Sequence, residues 1–302
     1  MPMLDFRVET FLAVCRHMNF TKAARELNIT QPAVSHHMHY LEQAYGTALF
    51  QHNGKRLQLT EAGEILRRTL MTMKHDEQHL QKRMQQAASG TRDYSFGATL
   101  SVAEFMINEA LGRFLRLHPD SHIQMQVADT KVLLSKLDSG ELDFAVVEGD
   151  FPKAEYDFFV FGTEEYVAAG DPEKAARYSG RRLTDLLVEP LLLREEGSGT
   201  RVILEYYLKE HGLAAADFAR TVEIGNIGAI KTLLKSGYGV SFLYRAAIRP
   251  EEAAGALGVI ALSDFELRHD IMFLFPKNSN FRADYTTIFR ELRACAEETG
   301  GA

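Results

Sequence analysis

An early segment of the chain contains two short helical patterns separated by a three-residue turn, and this feature constrains the fold most. Thr21 is placed to cap the first helix, which is predicted over 22–27. Asn28 opens the turn, because asparagine tolerates the left-handed backbone that such turns need. Thr30 then caps the second helix, with Pro32 in the first turn, where a missing N–H costs nothing. Two helices joined in this way predict a helix-turn-helix that binds DNA.

A small hairpin, or wing, is predicted directly after the helix-turn-helix. Asn53 and Gly54 form a dipeptide that tight hairpin turns prefer, and Lys55 and Arg56 follow it. The hairpin would place these cations beside DNA phosphates. Alternatively, the helices and the hairpin form only a packing module.

Charge also separates the N-terminal part of the chain from the rest. Residues 1–90 hold 11 Lys and Arg against 8 Asp and Glu, whereas the remaining residues hold 23 against 33. The net charge is therefore +3 in the first part and −10 in the second. A cationic N-terminal part indicates that a polyanion binds there, although +3 alone is modest support.

Residues 61–88 predict one long helix, because they contain no proline and only one glycine, near the start. Apolar residues repeat along it at near-heptad spacing, which predicts a seam that pairs with a second helix. The seam consists of Leu66, Leu70, Met73, Leu80, Met84 and Ala87. His75 and His79 have the i, i+4 spacing of metal ligands, but a solvated polar face is the favoured interpretation and no metal is predicted.

The pattern changes beyond a polar hinge at residues 88–93. Short runs typical of strands alternate with helical patterns, first over 94–147 and again over 190–243. A further strand is predicted over 268–276 and a closing helix over 280–296. This order predicts an α/β domain with a largely parallel sheet.

Several motifs of this sequence resemble those of LysR-type transcriptional regulators. They lie at residues 20–42, 46, 49–50 and 59–63 in the N-terminal part, and at 139–148, 194–201 and 235–242 in the body. The resemblance implies an α/β architecture with an N-terminal winged helix-turn-helix, a long linker helix, and a two-lobed effector domain of the type 2 periplasmic-binding-protein-like fold. The implied boundaries are 1–60 for the DNA-binding domain, 61–90 for the linker and dimerisation helix, and 91–302 for the effector domain, with lobe I over 91–161 and 268–302 and lobe II over 162–267.

The resemblance implies that the third helix enters the major groove and that the wing contacts the DNA backbone. The residues expected at the DNA are Thr21, Gln31, Pro32, Ser35, His36, His39, His52, Lys55 and Arg56. Two of them depart from the family, which usually has arginine at the position of His52 and often a basic or polar residue at that of His39. Because histidine gains charge toward pH 6, we hypothesise that DNA binding strengthens as the pH falls, through His36, His37, His39 and His52.

Three turns of the body are rich in hydroxyl groups and backbone N–H groups, and each opens a predicted helix. Such helix starts can bind a small anion, and the resemblance implies that effectors bind there, between the lobes. The expected residues are Thr99, Ser101, Thr130, Ser198, Thr200 and Asn226. Alternatively, these side chains only cap helices. Asp129 disfavours a ligand with negative charge at both ends unless Lys131 offsets it.

Neither an enzyme nor a cofactor is expected, because the sequence lacks the Gly-x-Ser-x-Gly elbow, the phosphate-binding loop and paired Cys-x-x-Cys ligands. The absence of a long apolar run and of a secretory signal, together with two distant cysteines, favours the cytoplasm and no membrane partner. The expected function is a regulator that binds double-stranded DNA and a small anionic metabolite. The alternative is a constitutive DNA-binding regulator without an effector. The resemblance also implies a homodimer, a homotetramer and contact with RNA polymerase.

Overall fold

The computed structural model describes residues 4–54 and 56–297. Its N-terminal unit consists of three helices and a hairpin, as the sequence predicts. The elements are α1 (Phe6–His17), α2 (Phe20–Glu26), α3 (Gln31–Tyr45), β1 (Phe50–Asn53) and β2 (Arg56–Leu59). β1 and β2 are antiparallel, and Gly54 adopts a left-handed φ of 61° in the turn between them. The helix-turn-helix with its wing is confirmed.

The caps of the helix-turn-helix differ from the prediction at one helix. Asn19 caps α2, because its side chain accepts a 2.9 Å hydrogen bond from the backbone N–H of Lys22. The prediction that Thr21 caps this helix is wrong, since the helix begins earlier and Thr21 lies within its first turn. Thr30 caps α3 as predicted, and its hydroxyl accepts a 3.3 Å hydrogen bond from the N–H of Ala33.

The long helix α4 (Glu61–Ser89) follows the wing, and its predicted apolar seam divides between two environments. Leu66 and Leu70 are buried in the core of the N-terminal unit. Met73 and Met84 are 46% and 66% exposed. Only the later part of the seam is therefore free to pair with another helix.

A second face of α4 packs against the body of the protein. The ring of His75 donates a 2.9 Å hydrogen bond from Nε2 to the carbonyl oxygen of Leu142. The ring of His79 lies 3.3 Å from a carboxylate oxygen of Asp143. Both histidines are buried, so the interpretation of a solvated polar face is wrong. Residues far away in the sequence cover them, and helical spacing alone cannot reveal such a cover.

The first half of the body alternates strands and helices as predicted. Its elements are β3 (Arg92–Ala98), a π-helical turn (Val102–Met106), α5 (Asn108–Leu117), β4 (Ser121–Val127), α6 (Thr130–Ser139) and β5 (Phe144–Val147). β3 pairs in parallel with both β4 and β5. A stack of aromatic rings, formed by Phe96, Phe144 and Phe273, lies in the core of this lobe, which we call lobe I.

The second half of the body contains the predicted β/α repeat and four elements that the sequence did not predict. The elements are β6 (Tyr156–Gly170), α7 (Pro172–Tyr178), β7 (Pro190–Leu193), α8 (Gly199–Glu210), β8 (Arg220–Glu223), α9 (Ile227–Lys235), β9 (Val240–Tyr244), α10 (Arg245–Ala253), β10 (Gly258–Ile260), β11 (Leu267–Pro276) and α11 (Arg282–Glu297). The elements without a prediction are the long strand β6, the short strand β10 and the helices α7 and α10. We call the lobe built on β7, β8 and β9 lobe II.

One sheet of nine strands runs through both lobes in the described residues, in the order β4-β3-β5-β11-β6-β9-β7-β8, with β10 beside β6. The antiparallel strands β6 and β11 connect the lobes, and their register shifts between Ile271 and Met272. Parallel strands end on the same edge within each lobe. The turns that follow β3, β5 and β7 therefore face one another across the space between the lobes.

Candidate DNA-binding surface and ligand cleft

The outer face of α3 gathers five of the residues expected at DNA. Gln31, Pro32, Ser35, His36 and His39 are all exposed, while the opposite face of the helix is buried in the core. Gln31 Nε2 donates a 2.9 Å hydrogen bond to Ser35 Oγ. The helix therefore presents a continuous row of polar groups of the kind that reads base edges in a major groove.

The wing stands next to this helix and adds charge. His52 and Arg56 are exposed on β1 and β2, and Thr21 is exposed at the start of α2. Lys55, which was also expected at the DNA, lies outside the described residues.

His37 does not belong to the exposed row. Its Nδ1 shares a 3.0 Å hydrogen bond with the Thr10 hydroxyl, and its ring contacts Phe6 with the centroids 4.9 Å apart. Burial, followed by the charges of Arg7 and His36, lowers the pKa of His37. The neutral form is favoured, so His37 is unsuited to the pH-dependent contact that the sequence hypothesis gave it.

A cavity of about 730 Å³ lies between the two lobes. Lobe I contributes the start of α6, at Asp129 and Thr130, and the segment that follows β5, at Glu148 and Gly149. Lobe II contributes the turn before α8, including Gly197. The starts of α6 and α8 are two of the three turns at which the sequence places a ligand, and the segment after β5 was not among them.

Glu148 forms the floor of this cleft and was missed as a site residue. Thr99 donates a hydrogen bond to its carboxylate, and the Thr130 hydroxyl donates one of 3.3 Å to its backbone carbonyl. Glu148 is 3% exposed, and burial raises its pKa against the opposing effects of Thr99, Ser101 and Arg194. A carboxyl group that resists ionisation repels an anion less than an exposed carboxylate does.

The helix starts that face the cleft have no side-chain caps. Asp129 precedes α6 and Ser198 precedes α8, yet neither side chain accepts a hydrogen bond from its helix. The Ser198 and Thr200 hydroxyls are buried and lie 3.2 Å from each other. Backbone N–H groups at these helix starts are therefore left for a ligand, which argues against the capping alternative here.

Asn226 follows the capping alternative. Its side chain accepts a 2.9 Å hydrogen bond from the N–H of Ala229 and so caps α9, and it is not among the residues that line the cavity. The structure thus brings Thr130 to the cleft wall, with Thr99, Ser101, Ser198 and Thr200 buried beside it, but gives Asn226 a structural role.

The charged groups on the cleft wall are mixed in sign. Carboxylates of Asp129, Asp150 and Glu210 line it together with Lys131 and the ring of His269. Burial lowers the pKa of His269, so its neutral form is favoured. An anion bound here must therefore be held by hydroxyl groups, by backbone N–H groups at the helix starts, and by the cations Lys131 and Arg194.

Residues 4–54 and 56–297 contain neither a metal site nor a membrane-spanning helix. No group of three His, Cys, Asp or Glu residues there has an arrangement that could hold a metal ion. No helix in the same part of the chain is long and apolar enough to span a membrane.

A winged helix-turn-helix joined by a long helix to a two-lobed domain with a cleft is the architecture of a ligand-responsive DNA-binding regulator. Two family models match the chain: "Bacterial regulatory helix-turn-helix protein, lysR family" over residues 7–64, and "LysR substrate binding domain" over residues 88–295. The chain belongs to the LysR family of transcriptional regulators.

Individual relatives agree with this assignment. The "RuBisCO operon transcriptional regulator" of Acidithiobacillus ferrooxidans is 30% identical over 305 residues, which cover 97% of this chain and 94% of the relative. The full-length regulator LysG from Corynebacterium glutamicum, solved with bound effector Arg, has a TM-score of 0.62 at 18% identity and covers 98% of this chain and 99% of its own. The regulatory domain of CcmR from Synechocystis, solved with 2-PG, has a TM-score of 0.61 at 20% identity and covers 68% of this chain and 98% of its own. The two structures support the fold.

Proposed function

We propose that α3 and the wing bind operator DNA, with the exposed row on α3 in the major groove. The support is the exposed row on one face of a well-capped helix, in which four polar side chains accompany Pro32. In this proposal Gln31 and Ser35 contact base edges, His36 and His39 lie over the groove, and the wing contacts phosphates. Thr21, Pro32, His52, Lys55 and Arg56 complete the proposed interface.

We propose that a small metabolite with an acidic group binds between the lobes and changes their separation. The single observation that carries this proposal is the pair of uncapped helix starts at Asp129 and Ser198, which face a common cavity. Thr99, Ser101, Thr130, Ser198 and Thr200 are the proposed contacts, and Glu148 is added to them. Asn226 is not included among the proposed contacts, because its side chain caps α9. A ligand that contacts both lobes stabilises the closed arrangement and thereby shifts the population of DNA-binding states.

The assembly that we propose is a homodimer that forms a homotetramer, because α4 keeps an exposed apolar strip that includes Met73 and Met84. We propose 1–60, 61–90 and 91–302 as the three units, with the lobes divided at 161–162 and 267–268. The protein would act in the cytoplasm, where bound dimers can contact RNA polymerase.

Fluorescence anisotropy with a duplex selected from a random library tests the DNA-binding proposal. Gln31→Ala is expected to weaken binding to the selected duplex by tenfold or more and to bind a scrambled duplex as the wild type does. Gln85→Ala is the matched control, because Gln85 is also an exposed glutamine, but on α4. Equal losses for both variants, or for both duplexes, would contradict the proposed readout.

Thermal unfolding of the full chain tests the effector proposal, with inorganic phosphate and a panel of small organic acids as probes. A ligand at one hundred times its dissociation constant stabilises the folded state by ~2.7 kcal/mol. Thr99→Ala and Thr200→Ala are expected to remove the response, and Asn226→Ala is expected to keep it. A wild type that responds to no probe but still binds DNA would favour the alternative, a constitutive regulator.

A further inference from the structure

The first turn after β7 contains a buried guanidinium group, that of Arg194. The Arg194 side chain is 5% exposed, and its Nε and Nη2 donate hydrogen bonds of 2.7 and 2.6 Å to the two carboxylate oxygens of Glu195. In the described part of the chain, the guanidinium donates to no other residue. Glu195 itself is 38% exposed.

This pair lies in the turn that borders the cleft, although neither residue lines the cavity itself. Gly197 and Gly199, which follow it in the same turn, line the cavity together with Glu148. A Cβ atom added to Gly199 would lie 3.6 Å from a carboxylate oxygen of Glu148, so the turn and the cleft floor are close together. The positive charge of Arg194 also acts on the carboxyl group of Glu148.

Separating the pair costs Arg194 more free energy than it costs Glu195. Arg194 is buried, and a buried guanidinium without an anionic partner is strongly unfavourable. Glu195 is partly exposed, so water can solvate its carboxylate when it moves away. An exchange in which another oxyanion replaces Glu195 keeps the buried charge paired throughout.

We propose that Arg194 binds an oxyanion group of the effector, a carboxylate or a phosphate, and that Glu195 holds this position until the effector displaces it. This inference rests on the effector cleft of the proposed function and names the residue that selects the ligand's acidic group. The planar guanidinium offers two parallel N–H groups, which match either kind of oxyanion. Because Glu195 is adjacent in sequence, it competes at high effective concentration and excludes weakly bound anions.

The competition gives the two residues opposite effects on anion binding. Removing the competitor by Glu195→Gln is expected to lower the concentration of phosphate needed for half-maximal binding by tenfold or more. Removing the receptor by Arg194→Gln is expected to abolish binding. A pair that only stiffens the turn would not produce opposite signs.

The test is thermal unfolding and calorimetry of the full chain with inorganic phosphate and with acetate, at an ionic strength held constant with sodium chloride. Arg201→Gln is the matched control, because it removes a nearby cation that is paired with Glu205 and Glu223. This control should bind phosphate as the wild type does. Acetate and phosphate titrations of Glu195→Gln show which oxyanion the site prefers.

Several results would overturn the assignment. A similar response of the wild type and all three variants would mean a general salt effect, and no response of Glu195→Gln to either anion would mean that Arg194 is not an anion receptor. Duplex binding by the same wild-type sample keeps the two proposals separate. A wild type that binds phosphate but no duplex would contradict the regulator function and leave the Arg194 assignment in place.

Discussion

The burial of His75 on α4 predicts that the protein loses stability as the pH falls from 7 to 5. His75 is 1% exposed, and its Nε2–H is committed to the carbonyl oxygen of Leu142 at 2.9 Å. Burial lowers the pKa of His75 from 6.5 to about 4, against smaller opposing effects that include the charge of Asp143. The folded protein therefore binds a proton at this ring much less readily than the unfolded chain does.

The sign and the size of the effect follow from proton linkage. Between pH 6.5 and about 4 the unfolded chain carries more protons at His75 than the folded protein, so acidification favours unfolding. At ~1.4 kcal/mol for each pH unit, the full difference is worth about 3.4 kcal/mol. The part that falls between pH 7 and pH 5 is about 2 kcal/mol.

Urea unfolding followed by circular dichroism measures this loss in the wild type and in His75→Gln at the two pH values. Other groups titrate in both proteins, so the informative quantity is the difference between their pH dependences. We expect the wild type to lose about 2 kcal/mol more than His75→Gln does. His211→Gln is the matched control, because it removes a histidine that is exposed instead of buried.

An identical pH dependence of His75→Gln and the wild type would refute the reasoning, since it would mean that His75 titrates in the folded protein as it does in the unfolded chain. The same loss in His211→Gln as in His75→Gln would also refute it. A lower stability of His75→Gln at pH 7 would not by itself refute it, because a change in packing lowers the free energy of unfolding equally at both pH values.

Three further predictions concern packing, capping and DNA binding. Gly63→Ala should destabilise the N-terminal unit by ~2 kcal/mol in urea unfolding, because its Cβ would lie 2.1 Å from a backbone oxygen before the wing; an unchanged midpoint would contradict the close approach. Asn226→Ala should cost ~1 kcal/mol through the lost cap and leave the phosphate response intact. DNA affinity at fixed salt should rise several-fold between pH 8 and pH 6 through the exposed His36, His39 and His52, and replacing all three with Gln should flatten this rise in anisotropy titrations.

The parts of the fold that the sequence predicts are those with local signals. The helix-turn-helix is one example, because Thr30, Asn28 and the Asn53-Gly54 dipeptide act within a few residues of where they stand. The strand β6 is the opposite example. Its middle contains the adjacent carboxylates Glu164 and Glu165, whose partners are arginines on α10 and β11 far along the chain. Without knowledge of those partners, a strand with two adjacent charges does not look like one that joins two lobes.

The residues of the candidate site also divide into those with a local sequence signal and those that depend on distant parts of the chain. Thr99, Thr130 and Thr200 could be predicted, because small hydroxyl residues at the ends of strands are typical of ligand-binding turns. Glu148 and Arg194 could not, because a charged residue in a turn is usually solvated, and only the tertiary structure buries these two. Burial changes what each can do, since it opposes the ionisation of Glu148 and forces Arg194 to keep a partner.

These two buried groups set a condition on any effector that the hydroxyls and helix starts alone would not set. Hydroxyls and helix starts accept many small polar molecules, whereas Arg194 accepts only a ligand whose oxyanion outcompetes Glu195. Glu148 lies close to the start of α8, so a ligand seated there meets a carboxyl group from lobe I and, in the proposed exchange, the Arg194 guanidinium from lobe II. A molecule with an acidic group at one end and a hydrogen-bonding group at the other can bind Arg194 in lobe II and Glu148 in lobe I at the same time. Binding of such a molecule would favour closure, because neither lobe alone offers both partners.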